Sequence, residues 1–177
     1  MEEPMADLDV MMVMGSASDW KYLQGAVAVL DGLGLASKVR VSSAHRTPER
    51  TLELVRQAEA SGCRVFICAA GMAAHLAGVV ASHTIRPVLG VPLPGGVLDG
   101  VDALLSTVQM PGGIPVATFA VGSAGAKNAA YFAAQIVAAE RPDVARALAA
   151  ARLAGAEAVE YGDAEIQIQL DQKGVTS

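Results

Sequence analysis

Apolar runs of strand length alternate with segments of helical period along most of this chain. The first run, Val10 to Met14, ends at Gly15. From Asp19 to Leu30, residues Tyr22, Leu23, Ala26, Val27 and Leu30 recur at intervals of three and four, which predicts an amphipathic helix stopped by Gly32 and Gly34. Ser37 to Val41 reads as a β-branched strand. Thr47-Pro48 then gives a start signal, an N-cap residue followed by proline at the first helical position, for a helix over Pro48 to Ala60. Further strands are predicted at Val65 to Ala69, Pro87 to Val91 and Pro115 to Ala120. The last is entered through Gly-Ile-Pro, where proline forfeits no ladder bond. An alanine-rich helix follows Ser123 as far as Glu140, and Pro142 opens a final one that runs to Tyr161. Strands that are apolar throughout and separated by helices indicate an α/β chain whose parallel sheet is covered on both faces. Residues 1–161 read as one α/β domain, and residues 162–177, which show no clear period, as a C-terminal tail or arm.

Composition narrows the field of functions. The 177 residues suffice for one well-buried core. The formal charge is -5 with no basic run, so the phosphate attraction that dominates nucleic-acid affinity is missing and a nucleic-acid partner is not expected. The stretch from Val65 to Ile85 contains His75, Ser82, His83 and Thr84 and is broken by Gly71 and Gly78, so it does not read as a membrane span, which needs about 20 predominantly apolar residues. Two cysteines, Cys63 and Cys68, and an acidic Met1-Glu2-Glu3-Pro4 where a signal peptide needs positive charge, point to a reduced, cytoplasmic setting. Cys63 and Cys68 read as buried thiols, and no His, Cys or carboxylate cluster has metal-site spacing. The 34 alanines and 18 glycines allow close backbone packing, while aromatics make up only 4%.

In an open parallel sheet, ligands bind beyond the carboxyl ends of the strands where strand order reverses. The loops to inspect are therefore 15–19, 42–47, 70–75 and 122–128. Gly15-Ser16-Ala17-Ser18-Asp19 lies at a strand-to-helix turn. Free backbone N–H groups and two hydroxyls there suit an anion, although Ser16-x-x-Asp19 is equally a capping box that needs no ligand. The loop has neither the lysine nor the spacing of a P-loop. Ser42-Ser43-Ala44-His45-Arg46-Thr47 brings together a side chain that gives and takes protons near neutrality and a planar cation suited to phosphate. Solvated turn residues would look the same. Ala70 to Leu76 is a small-residue loop through which a backbone can approach a ligand. Taken alone, His75 and His83 read as structural histidines.

Four segments in this order, Met14-Gly15-Ser16-Ala17-Ser18-Asp19-Trp20, Ser43-Ala44-His45-Arg46-Thr47-Pro48, Gly71-Met72-Ala73-Ala74-His75-Leu76 and Val108-Gln109-Met110-Pro111-Gly112-Gly113-Ile114-Pro115-Val116, resemble the 5-(carboxyamino)imidazole ribonucleotide mutase family of purine biosynthesis. The resemblance spans residues 10–160. It implies a three-layer α/β/α domain with a flavodoxin-like parallel sheet and a homo-octamer whose sites lie between subunits. The implied reaction is an isomerisation of a ribonucleotide that moves a carboxylate from the exocyclic amine to ring carbon C4, without metal, ATP or organic cofactor. By motif match, Ser16 and Arg46 hold the 5′-phosphate, Asp19 the ribose hydroxyls, and His45 is the general acid–base. Ser18, Ser43, Gly71 and His75 line the site.

The chain departs from the family's common Gly-Gly-Ala-Ala-His-Leu-Pro-Gly loop at Met72 and Ala77. A rival reading is the aminoimidazole ribonucleotide carboxylase branch, which takes up carbon dioxide directly. Its relatives tend to carry His-Lys-Thr where this chain has His45-Arg46-Thr47, and a Gly-Arg-Ser-Asn-type loop in place of Gly71 to His75. A rival of another class is a flavodoxin-like binding module, against which no aromatic follows the third strand to stack a flavin.

Overall fold

The computed structural model describes residues 8–172. Strands β1 (Val10–Met14) and β4 (Val88–Leu93) are buried at every position, and β3 (Val65–Gly71) at all but its last two, because helices cover both faces of the sheet they share. The edges are β2 (Ser37–Val41) and a two-residue β5 (Ala117–Thr118). All pairings are parallel and the order is β2-β1-β3-β4-β5, the flavodoxin-like order, which reverses between β1 and β3. Register places Met14 opposite Val41 on one side and Ala69 on the other, so β1 and β2 finish at one level and β3 runs on to Gly71.

Alternation along the strands sorts the core into two clusters. Met12, Met14, Ile67, Ala69, Leu89 and Val91 face α1 (Trp20–Gly32), α5 (Ser123–Ala138) and the first turns of α6 (Pro142–Gln172). Met11, Val13, Phe66, Cys68 and Val88 face α2 (Pro48–Ala60) and α3 (Leu76–Ala81). Gly90 admits α4 (Val101–Val108) to this second face, since a Cβ there would stand 2.4 Å from Thr107 Cγ2. The three-layer α/β/α arrangement expected from the sequence is what the chain adopts. Alanine explains one layer's closeness: Ala126, Ala129, Ala130, Ala133 and Ala134 on α5 are all fully buried against the sheet and α1.

Several elements differ from their predicted extents. A short 3-10 turn over Ala17–Asp19 precedes α1, and Gly34, at φ +74, supplies the left-handed stop beyond it. Strand β5 is shorter than Pro115 to Ala120. Proline at 115 has no N–H to give, and beyond Thr118 the pairing continues only through single bonds, Phe119 N–H to Gly90 O and Gly122 N–H to Pro92 O, each 2.9 Å. Helix α4 was not among the predicted elements. Helix α6 continues past Tyr161 to Gln172, so the first part of the tail or arm, 162–172, is helical. Alanine, glutamate and glutamine there favour helix even though Ile166, Ile168 and Leu170 alternate like a strand. The segment from Lys173 to Ser177 lies outside the described residues. Among the described residues, no helix is long and apolar enough to cross a membrane.

Candidate active site

The switch point between β1 and β3 opens into a cleft of about 530 Å³ at the carboxyl ends of the strands. Three of the four loops singled out from the sequence line it. Gly15, Ser16, Ser18 and Asp19 come from the β1 loop, Ser43 to Arg46 from the β2 loop, and Ala70 to Ala73 with His75 and Leu76 from the β3 loop. The fourth, 122–128, does not, and Lys127 instead lays its stem over Gly25 of α1. The cleft's remaining wall, Pro94 and Gly95 after β4, was missed by sequence reasoning. The rule about strand carboxyl ends would have found it, since Pro94-Gly95-Gly96 is where an apolar strand stops.

In the β1 loop the capping box is real. Ser16 N–H donates to Asp19 Oδ2 at 2.9 Å, and Ser16 Oγ accepts from Ser18 N–H at 3.3 Å while sitting 2.9 Å from Ser18 Oγ. This does not close the anion reading. The box orients both serines and the carboxylate toward the same cleft, at the N-terminal side of α1 where the helix dipole favours negative charge. Burial lifts the Asp19 carboxyl above its ordinary range, opposed by the Ser16 N–H and by Lys21.

The β2 loop is held from behind. Buried Ser42 bonds Thr51 Oγ1 at 2.8 Å and Thr47 Oγ1 at 3.3 Å. Thr47 stands at the N-cap of α2 but makes no side-chain cap bond. Its hydroxyl turns back into the loop, accepting from Ser43 N–H at 3.0 Å and donating to Ser43 O at 3.1 Å. Ser43 Oγ in turn accepts Arg46 N–H at 3.2 Å. Residues 42, 43 and 47 therefore form a polar staple, and of the three side chains between 43 and 47, those of His45 and Arg46 are left exposed at the cleft.

Across the cleft, two tight bonds shape the β3 loop: Met72 O accepts from Ala74 N–H at 2.9 Å, and Ala73 O from His75 N–H at 2.8 Å. They deliver the His75 ring to His45, with Nδ1 2.9 Å from His45 Nε2 and the rings nearly perpendicular, 5.0 Å between centroids. A proton on either nitrogen has an acceptor on the other, which a pair of merely solvated turn histidines would not provide. Gly71 is small because β4 is close: a Cβ would lie 3.3 Å from Leu93 O. His83 lies exposed beyond α3, outside this cleft, and Cys63 and Cys68 are buried. Burial pushes the Cys63 thiol up to about 11 and Cys68 higher still, so neither is a nucleophile near neutrality. Among the described residues, no group of three or more His, Cys, Asp or Glu side chains is placed to hold a metal ion.

The sequence model of the family described as AIR carboxylase matches residues 9–158. This chain belongs to the AIR carboxylase family. Within the family it is 50% identical over 137 residues to the N5-carboxyaminoimidazole ribonucleotide mutase of Pseudomonas aeruginosa, covering 77% of this chain and 84% of that protein. Against the enzyme of the same name from Escherichia coli K12, the identity is 52% over 129 residues, 73% of this chain and 76% of that one. Among solved structures, Treponema denticola PurE superposes with a TM-score of 0.79 at 27% identity, covering 88% of this chain and 96% of that one. The AIR carboxylase family match covers all four cleft-lining loops, from Gly15 to Gly95.

Proposed function

We propose that this chain is an N5-carboxyaminoimidazole ribonucleotide mutase that works as a homo-octamer in the cytoplasm. The observation that carries the reading is the His45–His75 pair, 2.9 Å apart, in one cleft with Ser16, Ser18, Asp19 and Arg46. In this reading Arg46 and Ser16 hold the 5′-phosphate through charge-assisted and hydroxyl hydrogen bonds, and Asp19 accepts from the ribose hydroxyls. Ser18, Ser43 and Gly71 shape the cleft around the ring.

His45 carries the proton chemistry. As the N–C bond of the carbamate breaks, its electron pair returns to nitrogen, which takes a proton from His45, and carbon dioxide is released. C4 then forms a bond to carbon dioxide, and the proton it still carries passes back to His45, so the histidine ends as it began. His75 lies within hydrogen-bond reach of His45 and steadies its ring in the protonation state each step needs.

The test is a comparison of substrates. The purified protein is expected to convert carboxyaminoimidazole ribonucleotide to the C4 carboxylate far faster than it makes that product from aminoimidazole ribonucleotide and dissolved carbon dioxide. The reverse preference would assign it to the carboxylase reaction. Turnover of neither would overturn the proposal.

A further inference from the structure

We infer that Thr47 is a positioning residue whose hydroxyl closes the turn carrying His45 and Arg46 and thereby sets turnover and nucleotide affinity together, an inference that rests on the mutase reading above. Thr47 has the place of a helix cap, directly before Pro48, but not the conformation of one. Its backbone lies at φ -138 and ψ 55, away from the extended ψ that aims a cap hydroxyl at the helix, and α2 receives no side-chain bond from it. The hydroxyl is committed to Ser43 instead. A threonine oxygen has one proton and two lone pairs; here the proton goes to Ser43 O at 3.1 Å, and a lone pair takes Ser43 N–H at 3.0 Å. The backbone adds Thr47 N–H to Ser43 O at 2.8 Å, so three bonds join the same two residues. Residues 43–47 are a turn closed at its base, with Ala44, His45 and Arg46 on its arch.

That closure matters because the two exposed side chains have little else to fix them. The His45 ring meets His75 of the opposite loop, and the Arg46 guanidinium has no ion pair among the described residues. Where both stand therefore follows from where the turn puts their backbone. The ends of the turn are anchored independently: Ser42 N–H donates to Met14 O at 2.9 Å on the β1 side, and Thr51 Oγ1 donates to Thr47 O at 3.2 Å on the α2 side. Sheet and helix stay in place whatever side chain residue 47 carries, and what its hydroxyl contributes is the shape of the arch between them. Thr47 is exposed, so without the hydroxyl the Ser43 N–H can bond water at little cost to stability. The same relaxation moves the arch, and a reacting group misplaced by about 1 Å loses up to about 10²-fold in rate. Two different quantities respond, kcat through His45 and nucleotide affinity through Arg46.

Steady-state kinetics of full-length variants with carboxyaminoimidazole ribonucleotide test this. Thr47→Val keeps the side chain's shape and removes both hydroxyl bonds, whereas Thr47→Ser keeps the hydroxyl and removes the methyl group. Thr47→Val is expected to lower kcat by about tenfold or more and to raise KM by about fivefold or more while melting within a few degrees of wild type. Thr47→Ser should hold both constants within about threefold of wild type, since the proton and lone pairs are still there. A second background separates positioning from general loosening. In Arg46→Ala protein the phosphate contact is already gone, so adding Thr47→Val should raise KM no further yet lower kcat by the same factor as before. A loosened fold would instead worsen both constants in both backgrounds. The assignment is overturned, with the mutase reading intact, by a valine variant that keeps both constants or loses activity only by unfolding, by a serine variant as impaired as valine, or by a KM increase that is the same with and without Arg46. A wild-type protein that forms no C4 carboxylate at all overturns both.

Discussion

At the residue scale, the cleft holds groups whose positions cost the fold something. A carboxyl raised by burial titrates above its unfolded value, so at neutral pH the ionised Asp19 is disfavoured in the folded chain, and that penalty fades as pH falls through the raised value. Asp19→Asn keeps an oxygen for the Ser16 N–H and removes the charge. It is therefore expected to be at least as stable as wild type at pH 7, with the difference shrinking toward pH 4, while nucleotide affinity drops. Melting curves at the two pH values check the sign; a variant less stable at pH 7 and equally so at pH 4 would show that the carboxylate is a structural cap alone. His45 is the reverse case, an exposed side chain contributing little to stability. His45→Asn is expected to leave melting within a degree or so of wild type and to cut turnover by about 10²–10⁴, the range for losing a general acid–base. Turnover within tenfold of wild type would remove His45 from the mechanism.

At the element scale, two glycines separate packing from propensity. Gly125, in the first turn of α5, leaves no room for a Cβ beside the Ala120 backbone carbonyl, so the loop between β5 and α5 can fold back onto the helix start only because that side chain is missing. Gly155, within α6, has nothing within 4 Å. The same change to alanine should therefore have opposite signs: Gly125→Ala destabilises by about 3 kcal/mol or more through overpacking, and Gly155→Ala stabilises by up to about 1 kcal/mol through helix propensity. Urea midpoints read both. How far elements were legible follows similar physics. β1, β3 and α2 announced themselves because their signals are local: an unbroken apolar run, or Thr47-Pro48. Helix α4 did not, being eight residues that open on a left-handed glycine, Gly100, with no side-chain cap and only Asp102 as an acidic first-turn residue. Three walls of the cleft could be read from loop composition, but the His45–His75 contact joins residues 30 apart and depends on strand order, which no local pattern encodes. The same holds for Thr47, whose hydroxyl was expected to cap a helix and instead secures the loop carrying His45.

At the scale of the whole molecule, the single chain leaves much apolar surface uncovered. Helix α6 has 31 residues, about 46 Å at 1.5 Å per residue, yet its buried residues, Val144 and Leu148, both lie in its first two turns. Beyond them Leu153, Val159, Tyr161, Ile166 and Ile168 are more than half exposed. In proteins most helical stability comes from packing an apolar face against neighbours, and beyond its first two turns α6 has no buried residue of its own chain to supply that. Val101, Leu105 and Val108 form a second exposed stripe on α4, and Ile85 and Val97 are almost entirely exposed. Patches of this kind mark association surfaces, and closed symmetry is the usual way a single chain satisfies them. The expected mass by light scattering at micromolar concentration is close to eight times the 18.1 kDa of one chain. Removing residues 153–172 should lower that mass, and the accompanying loss of helical circular dichroism should exceed nothing more than the deleted residues. Full-length protein running as a single chain of 18.1 kDa would refute the assembly. A truncated protein that keeps the full assembly would locate the contact elsewhere, on α4 and the β4 loop, where Leu105→Glu should then break it: a charge buried at an interface without a partner costs several kcal/mol, far more than its effect on an exposed helix.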